Sequence, residues 1–118
     1  MESKELDEKY KMVMKIADVF KAFGDLNRLL IINILASNMV DKISVSELAK
    51  MLGITQPAAS QHLKILKNIG ILVPKKEGYH VYYMIDIDAF LKQKEYIDLV
   101  FQYAFHKCDS NKDKEEII

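Results

Sequence analysis

Between residues 4 and 22 the apolar positions Leu6, Tyr10, Val13, Ala17 and Phe20 fall alternately four and three apart, drawing one stripe along a helix. Met12, Ile16, Val19 and Phe23 draw a second stripe. A helix with two stripes has two surfaces to cover, one against its own domain and one against a partner subunit. Burial all round in a single core is the plainer alternative. Gly24 is predicted to close this helix in the left-handed conformation. Asp25 then caps a second helix, roughly Leu26 to Ser37, by accepting from its free N–H groups. Arg28, the only arginine, is read as tying helix ends together, with a phosphate contact as the lesser alternative.

The stretch Ser44 to Leu72, SVSELAKMLGITQPAASQHLKILKNIGIL, carries the densest pattern. Ser44 and Glu47 make a capping box ahead of Leu48, Ala49 and Leu52. Gly53 breaks that helix. Thr55 caps the next, and Pro57 sits in its first turn, where a missing N–H costs little. Gly70 ends it. Two strands are predicted at Ile71 to Pro74 and Val81 to Ile85, joined by Lys75 to His80 with Gly78 at the turn. Asp88 is predicted to cap a last helix running to about Lys107, and the charged tail from Asp109 to Glu116 to be frayed. Two short helices, a tight turn and a following hairpin make a winged helix-turn-helix. The fold class is therefore mainly α with a small β-hairpin.

Stepping about 100° per residue through Gln56 to Ile69 sorts the second helix into two sides. Ala58, Ala59, Leu63, Ile65, Leu66 and Ile69 share the side that faces the core. Gln56, Pro57, Ser60, Gln61, Lys64, Lys67 and Asn68 share the other, and no acid occurs from Gln56 to Gly70. A merely solvated face usually mixes acids with bases, so this one suits double-stranded DNA. Gln can pair with adenine through two hydrogen bonds, and Ser can donate or accept. Base contacts are assigned to the N-terminal half, hence Gln56, Pro57, Ser60 and Gln61, with the cap residue Thr55 counted among the DNA-binding residues. Lys64 and Lys67 neutralise phosphates. In the wing, Lys75, Lys76 and His80 approach a neighbouring minor groove or its backbone. His62 falls near the buried side and is read as packed and hydrogen-bonded, with a phosphate contact as the lesser alternative. Tyr82 and Tyr83 point to opposite faces of their strand, so at least one packs inside.

The chain's 118 residues suit one domain, and its 50% apolar and 29% charged residues are ordinary for a globular protein. Net charge is zero, which argues against indiscriminate polyanion binding. Its distribution is uneven. Thr55 to His80 holds four lysines against Glu77, a balance of +3. Asp86 to Ile118 holds five lysines against eight acids, a balance of −3. One face can therefore meet phosphate. Absence of a long apolar run, a polar N-terminus and the single Cys108 predict a cytoplasmic protein without membrane association.

The runs FKAFGDLNRLLIINIL, ISVSELAKMLGITQPAASQHLKILKNIGIL and KKEGYHVYYMI closely resemble the ArsR/SmtB family of winged-helix repressors, over about Phe20 to Asp86. The resemblance implies a homodimer joined through its first and last helices. Each subunit would place one recognition helix in half of an inverted-repeat operator, and an effector would release the DNA. The last helix supplies a wide apolar surface with Phe90, Ile97, Val100, Phe101, Ala104 and Phe105. The dimer contact is expected on Leu6, Tyr10, Val13, Val100 and Phe101. This gives one domain over 1–108, with a core at about 20–86, dimerisation helices at 4–22 and 88–107, and a charged tail at 109–118.

Many members of that family sense metal through cysteines in the helix that here reads SVSELAKML, which has none. Others use ligands on the last helix, where Leu99 and Gln102 stand instead. No cofactor is expected, and the effector is open. His106, Cys108 and Asp109 could take Zn²⁺, or Cys108 could pair between subunits, giving a metal- or redox-responsive switch. A surface thiol without a role is the simpler account. A winged helix serving only as a protein-interaction module is the remaining alternative. No phosphate loop, metalloprotease helix or nucleophile elbow points to an enzyme.

Overall fold

The computed structural model describes residues 3–37 and 42–112, with side chains described for 7–37, 42–102 and 105. In chain order the elements are α1 (Ser3–Phe23), α2 (Leu26–Ser37), α3 (Val45–Leu52), α4 (Gln56–Asn68), β1 (Leu72–Glu77), β2 (His80–Ile85) and α5 (Ile87–Lys112).

The two stripes of α1 go to different places. Ile16 and Val19 are buried, as is Ala22, and Phe23 packs against the core. Tyr10, Val13 and Phe20 of the other stripe are exposed. Burial all round is thereby excluded. Gly24 ends α1, but not through a left-handed conformation: among the described residues the positive-φ glycines are Gly53, Gly70 and Gly78. At Gly24 a Cβ would lie 3.2 Å from the Phe20 carbonyl oxygen, a tight approach that favours a residue without one. Asp25 caps α2 as predicted, its Oδ2 accepting from the Arg28 N–H at 3.1 Å.

α2, α3 and α4 pack around Ile31, Leu35, Leu48, Leu63 and Leu66, and Ile71 and Leu72 close the base. These side chains bury themselves because apolar surface is driven from water. β1 and β2 pair antiparallel from Leu72↔Ile85 to Glu77↔His80. The strands thus run on through Lys75 and Lys76, and only Gly78 and Tyr79 make the turn. Gly78 takes φ 60°, which a two-residue hairpin turn requires at its first central position. Pro74 is tolerated because a two-stranded sheet consists of edges. Ser44 bridges to Tyr82, covering part of the β2 edge.

The predicted cap of the last helix is corrected. Asp86, not Asp88, caps α5: its Oδ1 accepts from Ala89 N–H at 3.1 Å. Asp88 lies in the first turn, where its charge still suits the helix dipole. α5 also continues past Lys107 to Lys112, there being no Gly or Pro to stop it. It meets α1 through stacked Phe23 and Phe90, centroids 6.1 Å apart, and through Phe20 and Phe101 at 6.4 Å.

Candidate nucleic-acid interface

α3 is fixed at both ends. Ser44 Oγ accepts from Glu47 N–H at 3.1 Å while Glu47 Oε1 accepts from Ser44 N–H at 3.4 Å. Gly53, at φ 67°, donates back to the Ala49 and Lys50 carbonyls. Only a residue free to adopt that conformation turns the chain this tightly, so α4 starts at once, capped by Thr55. The Thr55 Oγ1 accepts from Ala58 N–H at 3.2 Å. One of its lone pairs is engaged, and its hydroxyl proton remains free to donate to a phosphate.

α4 divides as its periodicity predicts. Ala59, Leu63 and Leu66 are fully or nearly fully buried. Gln56, Pro57, Ser60, Gln61, Lys64 and Lys67 are all exposed along the opposite side, continuous with exposed Thr55. The exposed side of α4 therefore offers amides, a hydroxyl and two ammonium groups without a carboxylate.

Lys75, Lys76 and His80 are exposed on the wing. Successive strand residues point to opposite faces, so Lys75, paired with Tyr82, and Lys76, paired with Val81, cannot lie on one face. Tyr83 packs against the core, while the Tyr82 ring lies 6.2 Å from His80 and 5.9 Å from the Lys42 ammonium. Lys42 also donates to both carboxylate oxygens of Glu77. Sequence reasoning missed this tie, because 35 positions separate its partners and no local pattern links them.

The Lys42 ammonium holds the Glu77 carboxyl below its ordinary range, with Lys75 adding to the effect. With the shift downward, the tie contributes stability above the ordinary carboxylate range and loses it as pH falls through the lowered value. Tyr82 ring resonances are expected to move over that acid window in wild type and not in Glu77→Gln. Identical titrations in the two proteins would refute the coupling.

Arg28 joins helix ends as predicted, reaching the Ala22 carbonyl, and His62 is half-buried and hydrogen-bonded to it. Of the expected dimer residues, Tyr10, Val13 and Phe101 are exposed and Val100 is half-buried, whereas the Leu6 side chain lies outside the described residues. Exposed Leu26, Leu29 and Leu30 of α2 enlarge the apolar surface beyond what the stripes foretold. The His106 and Cys108 side chains also lie outside the described residues. Among the described residues no group of three or more His, Cys, Asp or Glu is placed to hold a metal ion. None of the described helices is long and apolar enough to cross a membrane.

Residues 25–72 match the family model for bacterial regulatory proteins of the arsR family. An HTH-type transcriptional regulator of Methanocaldococcus jannaschii, itself uncharacterised, is 43% identical over 94 residues, covering 79% of this chain and 96% of that protein. The chain belongs to the ArsR family of transcriptional regulators. This ArsR-family protein shares its fold with an ArsR-like regulator from Rhodococcus sp. RHA1, at a TM-score of 0.73 and 23% identity over 90% of this chain and 97% of that one. It is also similar to a possible ArsR-family regulator of Mycobacterium bovis, described as a homodimeric winged helix-turn-helix DNA-binding domain. That likeness has a TM-score of 0.64 and 27% identity, over 81% of this chain and 87% of that one. The ArsR-family protein is thus a transcriptional regulator with a winged helix-turn-helix DNA-binding fold, in a family of regulators rather than enzymes.

Proposed function

We propose that this regulator is a cytoplasmic homodimeric repressor that binds an inverted-repeat operator in double-stranded DNA, one α4 helix entering each major-groove half-site. The observation that carries this reading is the exposed, acid-free side of α4 from Thr55 to Lys67. Gln56, Ser60 and Gln61 read base edges, Pro57 packs beside them, and Thr55, Lys64 and Lys67 hold phosphates. Lys75, Lys76 and His80 extend the contact along the wing. Tyr10, Val13, Val100 and Phe101, with Leu6, join the subunits, and a twofold axis doubles the sequence that so small a reader can specify.

Fluorescence anisotropy on a fragment from upstream of the protein's own gene tests this. Unlabelled operator is expected to compete far better than scrambled duplex, with affinity falling steeply as salt rises. Gln61→Ala should cost about 1–3 kcal/mol in each half-site on operator and little on scrambled DNA. An equal loss on both duplexes would make Gln61 a backbone contact, and equal competition by both would overturn sequence-specific recognition.

A further inference from the structure

The junction of α1, α2 and α4 holds a polar cluster that no DNA-facing residue accounts for. Arg28 Nε donates to the Ala22 carbonyl at 2.6 Å and Nη2 to the Lys21 carbonyl at 3.4 Å, satisfying the open end of α1. Its Nη1 lies 3.1 Å from His62 Nδ1, in the middle of α4. A guanidinium has donors only. Nδ1 must therefore present its lone pair, and the ring proton sits on Nε2. With its lone pair turned to Arg28, Nδ1 has no proton to offer Asp25 Oδ2, so the 3.8 Å approach of that oxygen is proximity rather than a hydrogen bond. Asp25 Oδ2 already accepts from the Arg28 backbone N–H.

His62 stands between Gln61, which faces outward, and Leu63, which is fully buried. The inward side of α4 is held by Ala59, Leu63 and Leu66, through hydrophobic contacts that have no direction. Directional ties fix rotation. One runs from His62 to Arg28, another from the Ile69 carbonyl to Gln93 Nε2 of α5 at 3.4 Å. The shorter one leads to the end of α1, the helix that carries the exposed stripe.

We propose that Arg28 and His62 are positioning residues that lock the rotation of α4 against the end of α1, and through it set how sharply the protein discriminates its operator. This rests on the dimeric DNA-reading function above. A helix free to rotate keeps its lysines near phosphate but misaligns Ser60 and Gln61, so discrimination falls before overall affinity does.

Two neutral substitutions separate this from general destabilisation. In His62→Asn the side-chain oxygen occupies the place of Nδ1; in His62→Gln it occupies the place of Nε2. Asn is the poorer helix former, so fold stability alone would rank the variants the other way. His62→Asn is expected to keep the wild-type ratio of operator to scrambled-duplex affinity within about threefold, whereas His62→Gln and Arg28→Lys lose about tenfold of it, the effect of a lost charged hydrogen bond. Equal ratios for the Asn and Gln variants, or Gln above Asn, would overturn the proposal. A long-range ¹H–¹⁵N spectrum of the free protein gives a readout independent of DNA and of dimerisation. His62 must show the neutral Nε2–H tautomer, and an Nδ1–H ring at neutral pH refutes the joint. If wild type binds no duplex, the DNA-reading function fails, and with it the role assigned to the joint, even where the tautomer is as expected.

Discussion

Lys64→Glu is expected to abolish operator binding at physiological salt while leaving the fold intact. Lys64 is exposed on the acid-free side of α4, so its removal opens no cavity. A glutamate there would stand one turn before Lys67, a spacing that favours the helix by about 0.2–0.5 kcal/mol. Thermal unfolding should therefore be unchanged or slightly raised. Binding moves the other way. A phosphate contact is lost in each half-site, and a carboxylate is pressed toward the DNA backbone, where like charge costs several kcal/mol. The loss should reach about 100-fold or more, on operator and scrambled duplex alike, because phosphate carries no sequence information. The salt dependence should also flatten, by about 0.9 in log–log slope for each contact removed. Anisotropy titrations at several salt concentrations, paired with a melt, read all of this. Wild-type affinity in a folded Lys64→Glu protein would place the DNA on another surface.

That the exposed, acid-free side of α4 was legible in sequence follows from its being local. The sorting of α4 into an inward side with Leu63 and a polar side with Gln61 depends only on helical periodicity, and the caps at Ser44 and Thr55 depend only on neighbours three positions away. What was not legible depended on distant partners or on ambiguous local signals. Lys75, Lys76 and Glu77 lack a strand's alternation, so the first strand was drawn to stop at Pro74. They are strand residues because β2 supplies the pairing. Asp86 and Asp88 are both competent caps, and the Asp86 N–H bond to the Ile71 carbonyl favours the first by anchoring it at the sheet. Lys42 could not be matched to Glu77 or Tyr82, nor Arg28 to His62, until the fold brought them together. Candidate base and phosphate contacts were thus nameable from sequence, as were the separate roles of Arg28 and His62, whereas the pairing of those two was not.

The proposed dimer surface yields the second large effect. Val13→Glu combined with Phe101→Glu is expected to give a folded monomer that binds the operator no better than a single half-site allows. Val13 is 47% exposed and Phe101 44% exposed within one chain, so neither substitution guts the core. Phe101 gives up tilted and stacked ring contacts with Phe20 and Phe105, at 6.4 and 6.0 Å. The chain's shape argues that this surface is meant to be covered. Its radius of gyration is 18.5 Å, against roughly 13–14 Å for a compact chain of this length. α5, at 26 residues, reaches about 39 Å. Helices that project this far, with Tyr10, Leu26, Leu29 and Phe105 also exposed, leave large apolar side chains in water, the kind of surface that marks a protein contact where it is contiguous. Across a twofold axis each substitution appears twice in one patch, so the double variant brings four carboxylates into the interface. Loss of the second half-site then removes cooperative docking, and the affinity falls by about 100-fold or more as binding changes from two linked contacts to one. Sedimentation equilibrium gives the mass, and anisotropy on full and half operators gives the affinity. A double variant that still sediments as a dimer would move the subunit contact away from α1 and α5. One that sediments as a monomer yet binds the full operator like wild type would show that the two half-sites are not read together.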